Sequence, residues 1–310
     1  MQSDLADVVI AGGGPGGLSA ALVLGRSLKK VIVIDEGKPR NDVTRKAHGF
    51  LTRDGMNPSL IRQIAREQLD AYKNISILKD VVEDVERKKG RFITKTKSGK
   101  ILNSKKMIFA TGMKDHLPAI SGLQSVYGKT VFHCPYCDGW ERRNEPLAVI
   151  GNGDGLLPFI KLIHNWSKDL IVFTNGPVAI RYEEKQQLAQ RSIDLIESPI
   201  VELQSSNGKL ENVILRNGKS FSRTGGFMVT TGEKQSSMIP ARLGVPLNDK
   251  GEYESSEHGQ TNLEGLFIIG DAKNTFTSLA GATSQGYEAA VKINGELAEE
   301  EWADVLLQRD

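Results

Sequence analysis

Residues 7–36 read DVVIAGGGPGGLSAALVLGRSLKKVIVIDE and decide the fold. The apolar run Asp7–Ala11 is typical of a buried parallel strand, and the Ala-rich run Leu18–Leu28 predicts a helix. A second apolar run, Val31–Ile34, ends in two acidic residues. The turn at residues 12–17 is GGGPGG. Strand, glycine turn, helix and strand in this order predict a βαβ unit that binds a dinucleotide.

The glycine turn has the G-x-G-x-x-G spacing that such a site needs. These glycines allow a tight turn and let the backbone approach a pyrophosphate at the N-terminus of a helix. Two acids follow about 20 residues later, where a carboxylate binds ribose hydroxyls. The predicted dinucleotide-binding residues are Gly12, Gly14, Pro15, Gly17, Asp35 and Glu36.

A second unit of the same kind is imperfect. Strand Pro146–Ile150, turn GNGDG and helix Leu156–Trp166 precede strand Leu170–Thr174. Leu156 occupies a position that needs Gly or Ala for close packing, and Asp154 would repel a phosphate. Neither an acid nor an Arg follows the last strand. These residues favour a degenerate, structural unit, with a working nicotinamide site as the alternative.

The remaining elements complete an α/β fold. We predict a helix at Asn57–Lys73, strands at Ile75–Val82, Lys106–Ala110, Phe227–Thr231 and Gly265–Ile269, hairpins at 91–103 and 210–222, and a helix at Ser284–Glu299. The layout predicts two Rossmann-like, three-layer nucleotide-binding domains, the first split in sequence by insertion of the second. The first would comprise residues 1–115 and 246–310, and the inserted domain residues 116–245.

Composition excludes several classes of protein. The 310 residues carry a net charge of +2 and no basic patch with interleaved aromatics, so we expect no nucleic-acid partner. No run approaches the ~20 apolar residues of a membrane span, and residues 1–7 lack the layout of a signal peptide. We therefore expect a cytoplasmic protein without a membrane partner. Two cysteines are too few for a disulfide scaffold.

Both cysteines lie in the unit Cys134-Pro135-Tyr136-Cys137. A redox dithiol, half of a zinc site and a structural pair are the alternatives. A structural zinc needs four ligands, and this chain has one such pair, so we predict no metal site and favour a redox-active disulfide. The preceding His133 is interpreted as an ordinary neighbour. Asp138 is a candidate general acid for the departing thiolate.

Together these motifs resemble the low-molecular-weight thioredoxin reductase family over essentially the whole chain. The resemblance rests on GGGPGG, Ala110-Thr111-Gly112, Cys134-x-x-Cys137-Asp138-Gly139 and Gly270-Asp271. It implies FAD on the split domain, a homodimer, and electron transfer between flavin and the cysteine pair. It further implies that Cys137 lies nearest the flavin, that Cys134 attacks the outside substrate, and that Asp138 is the acid–base residue.

Several segments are similar to a subgroup of thioredoxin-reductase-like proteins related to the dithiol oxidases of gliotoxin and holomycin pathways. These segments are Arg40-Asn41, His48-Gly49-Phe50, Asp54-Gly55 and His133–Cys137. Such oxidases use FAD and oxygen to close disulfides, and other relatives accept electrons from ferredoxin; both kinds lack a proper NADPH site. Here Thr174-Asn175-Gly176 replaces the His-Arg-Arg cluster of NADPH-dependent enzymes. Asp138 departs from the His or Arg that is usual in the oxidases.

The resemblance also assigns residues to the flavin. Asp271 follows a buried strand, so its carboxylate is expected in the ligand crevice. Trp302 is interpreted mainly as a core residue of an amphipathic helix, with stacking on a flavin as the alternative. The remaining expected flavin-binding residues are Arg40, Asn41, His48, Val82, Ala110, Thr111, Gly112, Gly270, Leu279 and Ala280.

The sequence therefore predicts an FAD-dependent thiol–disulfide oxidoreductase. Its electron donor stays open among NADPH, a ferredoxin or flavodoxin, and substrate dithiols with oxygen as acceptor. Its substrate is expected to be a thioredoxin-like protein or a small dithiol or disulfide. The alternatives are an NADPH-dependent thioredoxin reductase proper, a non-enzymatic flavin-bearing redox sensor, and a flavin enzyme of another reaction class with incidental cysteines.

Overall fold

The first third of the chain builds most of one sheet. The computed structural model describes residues 5–274 and 277–307, so residues 1–4 and 308–310 at the outer limits of the predicted split domain lie outside the described residues. The elements are β1 (Ala6–Ala11), α1 (Pro15–Arg26), β2 (Val31–Asp35), α2 (Pro58–Leu69), β3 (Ile75–Lys79), β4 (Val82–Lys88), β5 (Arg91–Thr96), β6 (Ile101–Phe109) and β7 (Met113–Lys114).

The middle of the chain builds a second sheet, and the end returns to the first. The middle elements are α3 (Leu123–Val126), β8 (Val131–Phe132), α4 (Pro135–Asp138), β9 (Leu147–Ile150), α5 (Leu156–Ile163), β10 (Leu170–Phe173), α6 (Tyr182–Ala189), β11 (Asp194–Ile196), β12 (Ile200–Ser206), β13 (Lys209–Leu215), β14 (Ser220–Ser222), β15 (Gly225–Met228) and β16 (Lys234–Gln235). The last are α7 (Ile239–Arg242), β17 (Leu266–Ile268) and α8 (Leu279–Leu307). No described helix has both the length and the apolar character needed to span a membrane.

The first sheet has strand order β3-β2-β1-β6-β5-β4, and β17 also pairs with β6. The strands β3, β2, β1, β6 and β17 run parallel, while β4, β5 and β6 form an antiparallel meander. Val8 and Ile10 of β1 pack against α1 and α8 on one face, and Val9 packs into a second cluster on the other. Because both faces of β1 are covered, residues 8–11 of the strand form an unbroken apolar run.

The second sheet is a parallel array of five strands, β11-β10-β9-β15-β8. Val149 and Val172 pack with helix α5 on one face, whereas Ile150 and Phe173 pack against the antiparallel sheet β12-β13-β14 on the other. The prediction of two Rossmann-like units, with the second inserted in the first, is confirmed, since β17 and α8 join the first sheet after the second is complete.

The two chain crossings between the sheets are hydrogen-bonded to each other. Strand β7 pairs antiparallel with β16, and Met113 lies opposite Gln235. Each crossing follows a glycine with positive φ, Gly112 (+63°) after β6 and Gly232 (+64°) after β15. The repeat seen in the sequence therefore extends to the backbone conformation of both exits.

Some predicted elements differ from the structure. Predicted strand Ile75–Val82 is two strands, interrupted where the Asp80 carboxylate accepts a hydrogen bond from the Val81 amide (2.8 Å). Predicted strand Lys106–Ala110 continues the preceding hairpin strand as β6. Helix α8 begins earlier than predicted, because the hydroxyl of Ser278 accepts from the Gly281 amide (3.0 Å). The mostly polar strands β4 and β12 were not predicted, since one face of each is exposed.

Candidate active site

The first glycine turn has a backbone that only glycine permits. Gly12 has φ +107°, and a Cβ there would lie 2.3 Å from the Ala110 carbonyl oxygen. A Cβ at Gly17 would lie 2.0 Å from the Gly12 carbonyl oxygen. Helix α1 then begins at Pro15 with no side-chain cap and no acid in its first turn. Its free amides and partial positive charge are therefore available to an anionic group.

The two predicted ribose-binding acids have different surroundings. Asp35 ends β2 and lies against the turn, because a Cβ at Gly13 would be 2.9 Å from its Oδ2. Arg66 of α2 donates a hydrogen bond to the same carboxylate. Glu36 is more exposed and pairs with Lys38 at 2.7 Å. Asp35 is thus the acid that the fold holds in place beside the turn.

A cavity of about 640 Å³ connects this turn to the cysteine pair. Gly17 and Ala280 do not line it: Gly17 packs against the Gly12 carbonyl behind the turn, and Ala280 lies between the lining residues Leu279 and Ala282 of α8. The predicted residues that do line it are Gly12, Gly14, Pro15, Asp35, Glu36, Arg40, Asn41, His48, Val82, Ala110, Thr111, Gly112, Cys134, Cys137, Asp138, Gly270, Asp271 and Leu279.

Further residues line the cavity without having been predicted. Arg62 of α2 donates to the Asn41 side chain at 3.3 Å. Thr277 and Ser278 precede α8, and Tyr127 reaches the cavity from the second unit. Arg62 and Arg66 share one face of α2 at a spacing of four, but nothing in a single sequence indicates which face meets the cavity.

One buried hydroxyl of the cavity lacks a partner. Thr111 Oγ1 is buried and makes no hydrogen bond to any described residue. A buried polar atom without a partner costs about 1–3 kcal/mol, which a bound ligand would offset. Thr111 lies directly after Ala110, whose carbonyl faces Gly12 of the turn. The unpartnered hydroxyl thus lies where a dinucleotide held by the turn would pass.

The cysteines form a disulfide at the start of the short helix α4. Their Cα atoms are 5.3 Å apart, and the Cys137 amide lies 3.2 Å from Cys134 Sγ. Cys134 is 5% exposed, whereas Cys137 is only partly buried. Both line the cavity, so the disulfide opens onto the same space as the glycine turn.

Asp138 is placed to exchange a proton beside Cys137. Burial, followed by the negative charge of Glu141, raises the pKa of Asp138 from 3.8 to about 7, against the opposing charge of Arg142. At neutral pH the carboxyl group is therefore present in both protonation states. A general acid acts best when its pKa lies near the working pH.

A charged cluster joins the two units near the predicted flavin acid. Arg40 donates to Asp115 Oδ1 at 2.7 Å through Nη2, and Nη1 lies 3.3 Å from Asp271 Oδ2. Burial raises the pKa of Asp271 to about 6, although the charge of Arg40 opposes this. His48 bridges the units a second time, with Nε2 3.5 Å from Glu141 Oε1. Arg40, Asp271 and His48 all line the cavity, so these contacts lie in its wall.

The second glycine turn is tied to its own loops. Leu156 is 2% exposed and packs in the core with Ile160 and Val172. Asn152 Nδ2 donates to the Pro177 carbonyl at 2.9 Å, and Thr174 Oγ1 donates to the Gly176 carbonyl at 2.6 Å. No residue of this turn lines the 640 Å³ cavity. The loop that would hold a ribose is thus hydrogen-bonded within itself.

Trp302 lies elsewhere. It is 79% exposed near the end of α8 and does not line the cavity, so the prediction that it is a core residue is wrong. The apolar residues of α8 that pack against the first sheet end at Leu297, before Trp302.

Comparison with known proteins agrees with this geometry. The model of the family described as pyridine nucleotide-disulphide oxidoreductase matches residues 6–286. A probable thioredoxin reductase of Arthroderma benhamiae is 31% identical over 98% of this chain and 83% of its own. The thioredoxin reductase aclD of Aspergillus oryzae is 28% identical over 98% and 100%.

A solved structure matches just as broadly. The putative thioredoxin reductase TrxB of Bacillus anthracis superposes with a TM-score of 0.91 and 33% identity, covering 96% of this chain and 99% of its own. All strands of both sheets and the cysteine pair of the second unit lie within the matched residues 6–286. The chain therefore belongs to the pyridine nucleotide-disulphide oxidoreductase family, as a flavin disulfide oxidoreductase of the thioredoxin reductase-like group.

Proposed function

We propose that the protein binds FAD in the 640 Å³ cavity and moves two electrons between it, the Cys134–Cys137 disulfide and an outside thiol or disulfide. One observation carries the proposal: the disulfide and the first glycine turn line the same cavity.

The residues of the cavity fit FAD. The uncapped N-terminus of α1 would hold the pyrophosphate, and Asp35 would bind ribose hydroxyls. Asp271 would bind the ribityl chain, and the unpartnered Thr111 hydroxyl would gain a hydrogen-bond partner. FAD, when bound, supplies an exchangeable pair of electrons.

The cysteine pair and its neighbour divide the remaining chemistry. When two electrons reach the disulfide, the S–S bond breaks and each sulfur becomes a thiolate that needs one proton. Asp138 gives a proton to the Cys137 sulfur, because its carboxyl is partly protonated near pH 7. In the opposite direction the same carboxylate takes that proton back before the sulfur loses electrons.

The residues of the second glycine turn argue for an electron donor other than NADPH. The side chain of Asn152 bridges to the loop after β10, and the exposed Asp154 places a negative charge at the turn. Neither feature suits a phosphate-bearing ligand. We therefore favour a substrate dithiol, or a ferredoxin or flavodoxin, as the electron donor.

The partners are proposed from chemistry and from the names of relatives. The relatives named thioredoxin reductases support a thioredoxin-like substrate, and a small dithiol or disulfide is the alternative because both cysteines line the cavity. We further propose a homodimer, on the strength of the resemblance to thioredoxin reductases, and a cytoplasmic location, since dithiols persist in a reducing compartment.

The test is an anaerobic titration of the flavin-loaded protein, followed through the visible absorbance of the flavin. We expect a dithiol to bleach the flavin stoichiometrically and NADPH or NADH to leave it oxidised. The matched control is Cys134→Ser/Cys137→Ser, which should be bleached by dithionite but not by the dithiol.

Three outcomes would contradict the proposal. Equal bleaching of the double variant by the dithiol would remove the disulfide from the electron path. Stoichiometric bleaching by NADPH would favour an NADPH-dependent thioredoxin reductase and a working second glycine turn. A protein that bleaches once but shows no repeated turnover with thioredoxin, a disulfide or oxygen would be a redox sensor.

A further inference from the structure

A chain of hydrogen bonds ends at His133, the residue before Cys134. Tyr127 Oη lies 3.0 Å from His133 Nδ1 and 2.9 Å from Asp115 Oδ2. His133 lines the cavity together with both cysteines. No local sequence pattern indicates this chain, because Tyr127 lies six residues before His133 and Asp115 lies in the crossing after β7.

The first link is an ionised carboxylate. Arg40 donates to Asp115 Oδ1 at 2.7 Å, and Thr231 Oγ1 donates to the same oxygen at 2.6 Å. Burial alone would raise the pKa of Asp115, but these hydrogen bonds outweigh burial and hold it below the usual value. Asp115 is therefore an acceptor only.

The second link follows from counting protons. Tyr127 has one hydroxyl proton, and burial with the charge of Asp115 raises its pKa, so the proton stays on the hydroxyl. The proton must be donated to Asp115 Oδ2, because an ionised carboxylate has none to offer. The hydroxyl oxygen can then only accept from His133, which must carry its proton on Nδ1.

The second ring nitrogen of His133 therefore keeps its lone pair. Burial lowers the pKa of His133, and the charge of Arg40 lowers it further, against the charges of Asp115 and Glu233. The ring is thus neutral at neutral pH, with Nε2 unprotonated. Within residues 5–274 and 277–307, no hydrogen bond to Nε2 is present.

This arrangement extends the thiol–disulfide exchange of the proposed function and rests on it. We propose that His133 is a second acid–base residue of that exchange, whose Nε2 serves the thiol that attacks Cys134. Tyr127 and Asp115 are positioning residues that hold its tautomer. Each cysteine then has its own proton carrier next to it in the chain, His133 for Cys134 and Asp138 for Cys137.

The step balances in atoms and electrons. A substrate dithiol gives one thiol proton to His133 Nε2, and its sulfur bonds to Cys134 Sγ. The Cys134–Cys137 bond breaks, its electron pair goes to the Cys137 sulfur, and Asp138 protonates that sulfur. The second substrate thiol loses its proton to solvent and attacks the mixed disulfide. Cys134 leaves with the electron pair and takes the proton from His133, while solvent reprotonates Asp138.

The kinetic test compares the exchange rate of wild type and His133→Asn with dithiothreitol. The asparagine amide keeps a donor for Tyr127 but offers no base. Exchange is stopped by alkylation and counted by mass spectrometry, so the readout does not need flavin. We expect about a 100-fold slower reaction, since general acid–base catalysis contributes about 10²–10⁴-fold. His258→Ala, an exposed histidine, should react like wild type.

The pH profile separates a base from a structural residue. Protonation of His133 should slow wild-type exchange at a pH below the 6.5 of an unperturbed histidine, because burial lowers its pKa, and this limb should be absent in His133→Asn. Added imidazole should partly restore His133→Ala. If the wild type does not react with the dithiol, the proposed function is wrong. If it reacts and His133→Asn keeps the same rate and pH limb, the role of His133 alone is wrong.

The tautomer can be measured directly. Long-range ¹H–¹⁵N spectra of ¹⁵N-histidine-labelled protein distinguish a protonated Nδ1 from a protonated Nε2, and His133→Asn identifies the signal. We expect the Nδ1–H form in wild type and a mixture of tautomers in Tyr127→Phe, with the exposed Tyr182→Phe as control. A dominant Nε2–H form in wild type would overturn the proposal.

Discussion

Replacement of Asp138 by Asn should stabilise the protein in alkaline solution while removing its acid. In the folded protein the pKa of Asp138 is raised from 3.8 to about 7, so the folded state holds this proton more tightly than the unfolded state. The free energy of unfolding therefore falls as the pH rises from about 4 to about 7, and falls no further above that. At about 1.4 kcal/mol per tenfold change, the total is about 4 kcal/mol.

Asparagine has the shape of the protonated acid and carries no charge at any pH. The two proteins should be equally stable near pH 4, and the variant should be more stable by up to about 4 kcal/mol near pH 8. This corresponds to roughly 5–10 °C in Tm. The measurement is urea unfolding of the oxidised protein at a series of pH values.

The control is Asp154→Asn, which changes an exposed acid at the second glycine turn. Its stability relative to wild type should not vary with pH. A constant difference between Asp138→Asn and wild type across the pH range would refute the reasoning, because it would mean that burial does not raise this pKa. The same variant should exchange thiols more slowly, so that stability and activity change in opposite directions.

Two further changes test the frame of the site. Lys106→Met removes a side chain that is 5% exposed and pairs with two glutamates of α8. Urea unfolding should show that the free energy of unfolding falls by about 3 kcal/mol. The control Lys88→Met changes a side chain that is 65% exposed and should cost under about 1 kcal/mol. Gly12→Ala places a methyl group 2.3 Å from the Ala110 carbonyl oxygen, at a residue with φ +107°. This variant should lose its flavin on gel filtration. The control Gly14→Ala has nothing within 4 Å of its added Cβ, so its Tm should be unchanged. Equal Tm and flavin content in the two glycine variants would contradict the steric argument.

The two proton carriers of the site differ in how the fold adjusts them. Asp138 depends on burial and on one like charge, Glu141. His133 depends on hydrogen bonds that converge on Asp115: His133 donates to Tyr127, Tyr127 donates to Asp115, and Arg40 of the first unit donates to the same carboxylate. The state of His133 is therefore coupled to the contact with Arg40 of the first unit, whereas that of Asp138 depends on burial and on charges three and four residues along the chain.

Predictions from local sequence were accurate where a short segment carries its own physical reason. The glycine turn and βαβ order required positive φ and close backbone contacts that only glycine allows, and the structure has both. The Cys134–Cys137 pair forms a disulfide, as its spacing indicated. Errors occurred where the neighbours decide, as at Trp302, whose exposure depends on what α8 covers, and at β4, whose polar run pairs with β5.

The sequence by itself determined the fold class, the family resemblance and the cysteine chemistry, because these depend on residue types at short spacings along the chain. Only the tertiary structure decided that Arg40, Asp115, Tyr127 and His133 form one hydrogen-bonded chain, and that burial moves the pKa of Asp138 to about 7. Hydrogen bonds of about 3 Å and desolvation act through space. Segments far apart in the sequence meet only after both sheets have formed, so no local pattern records their contact.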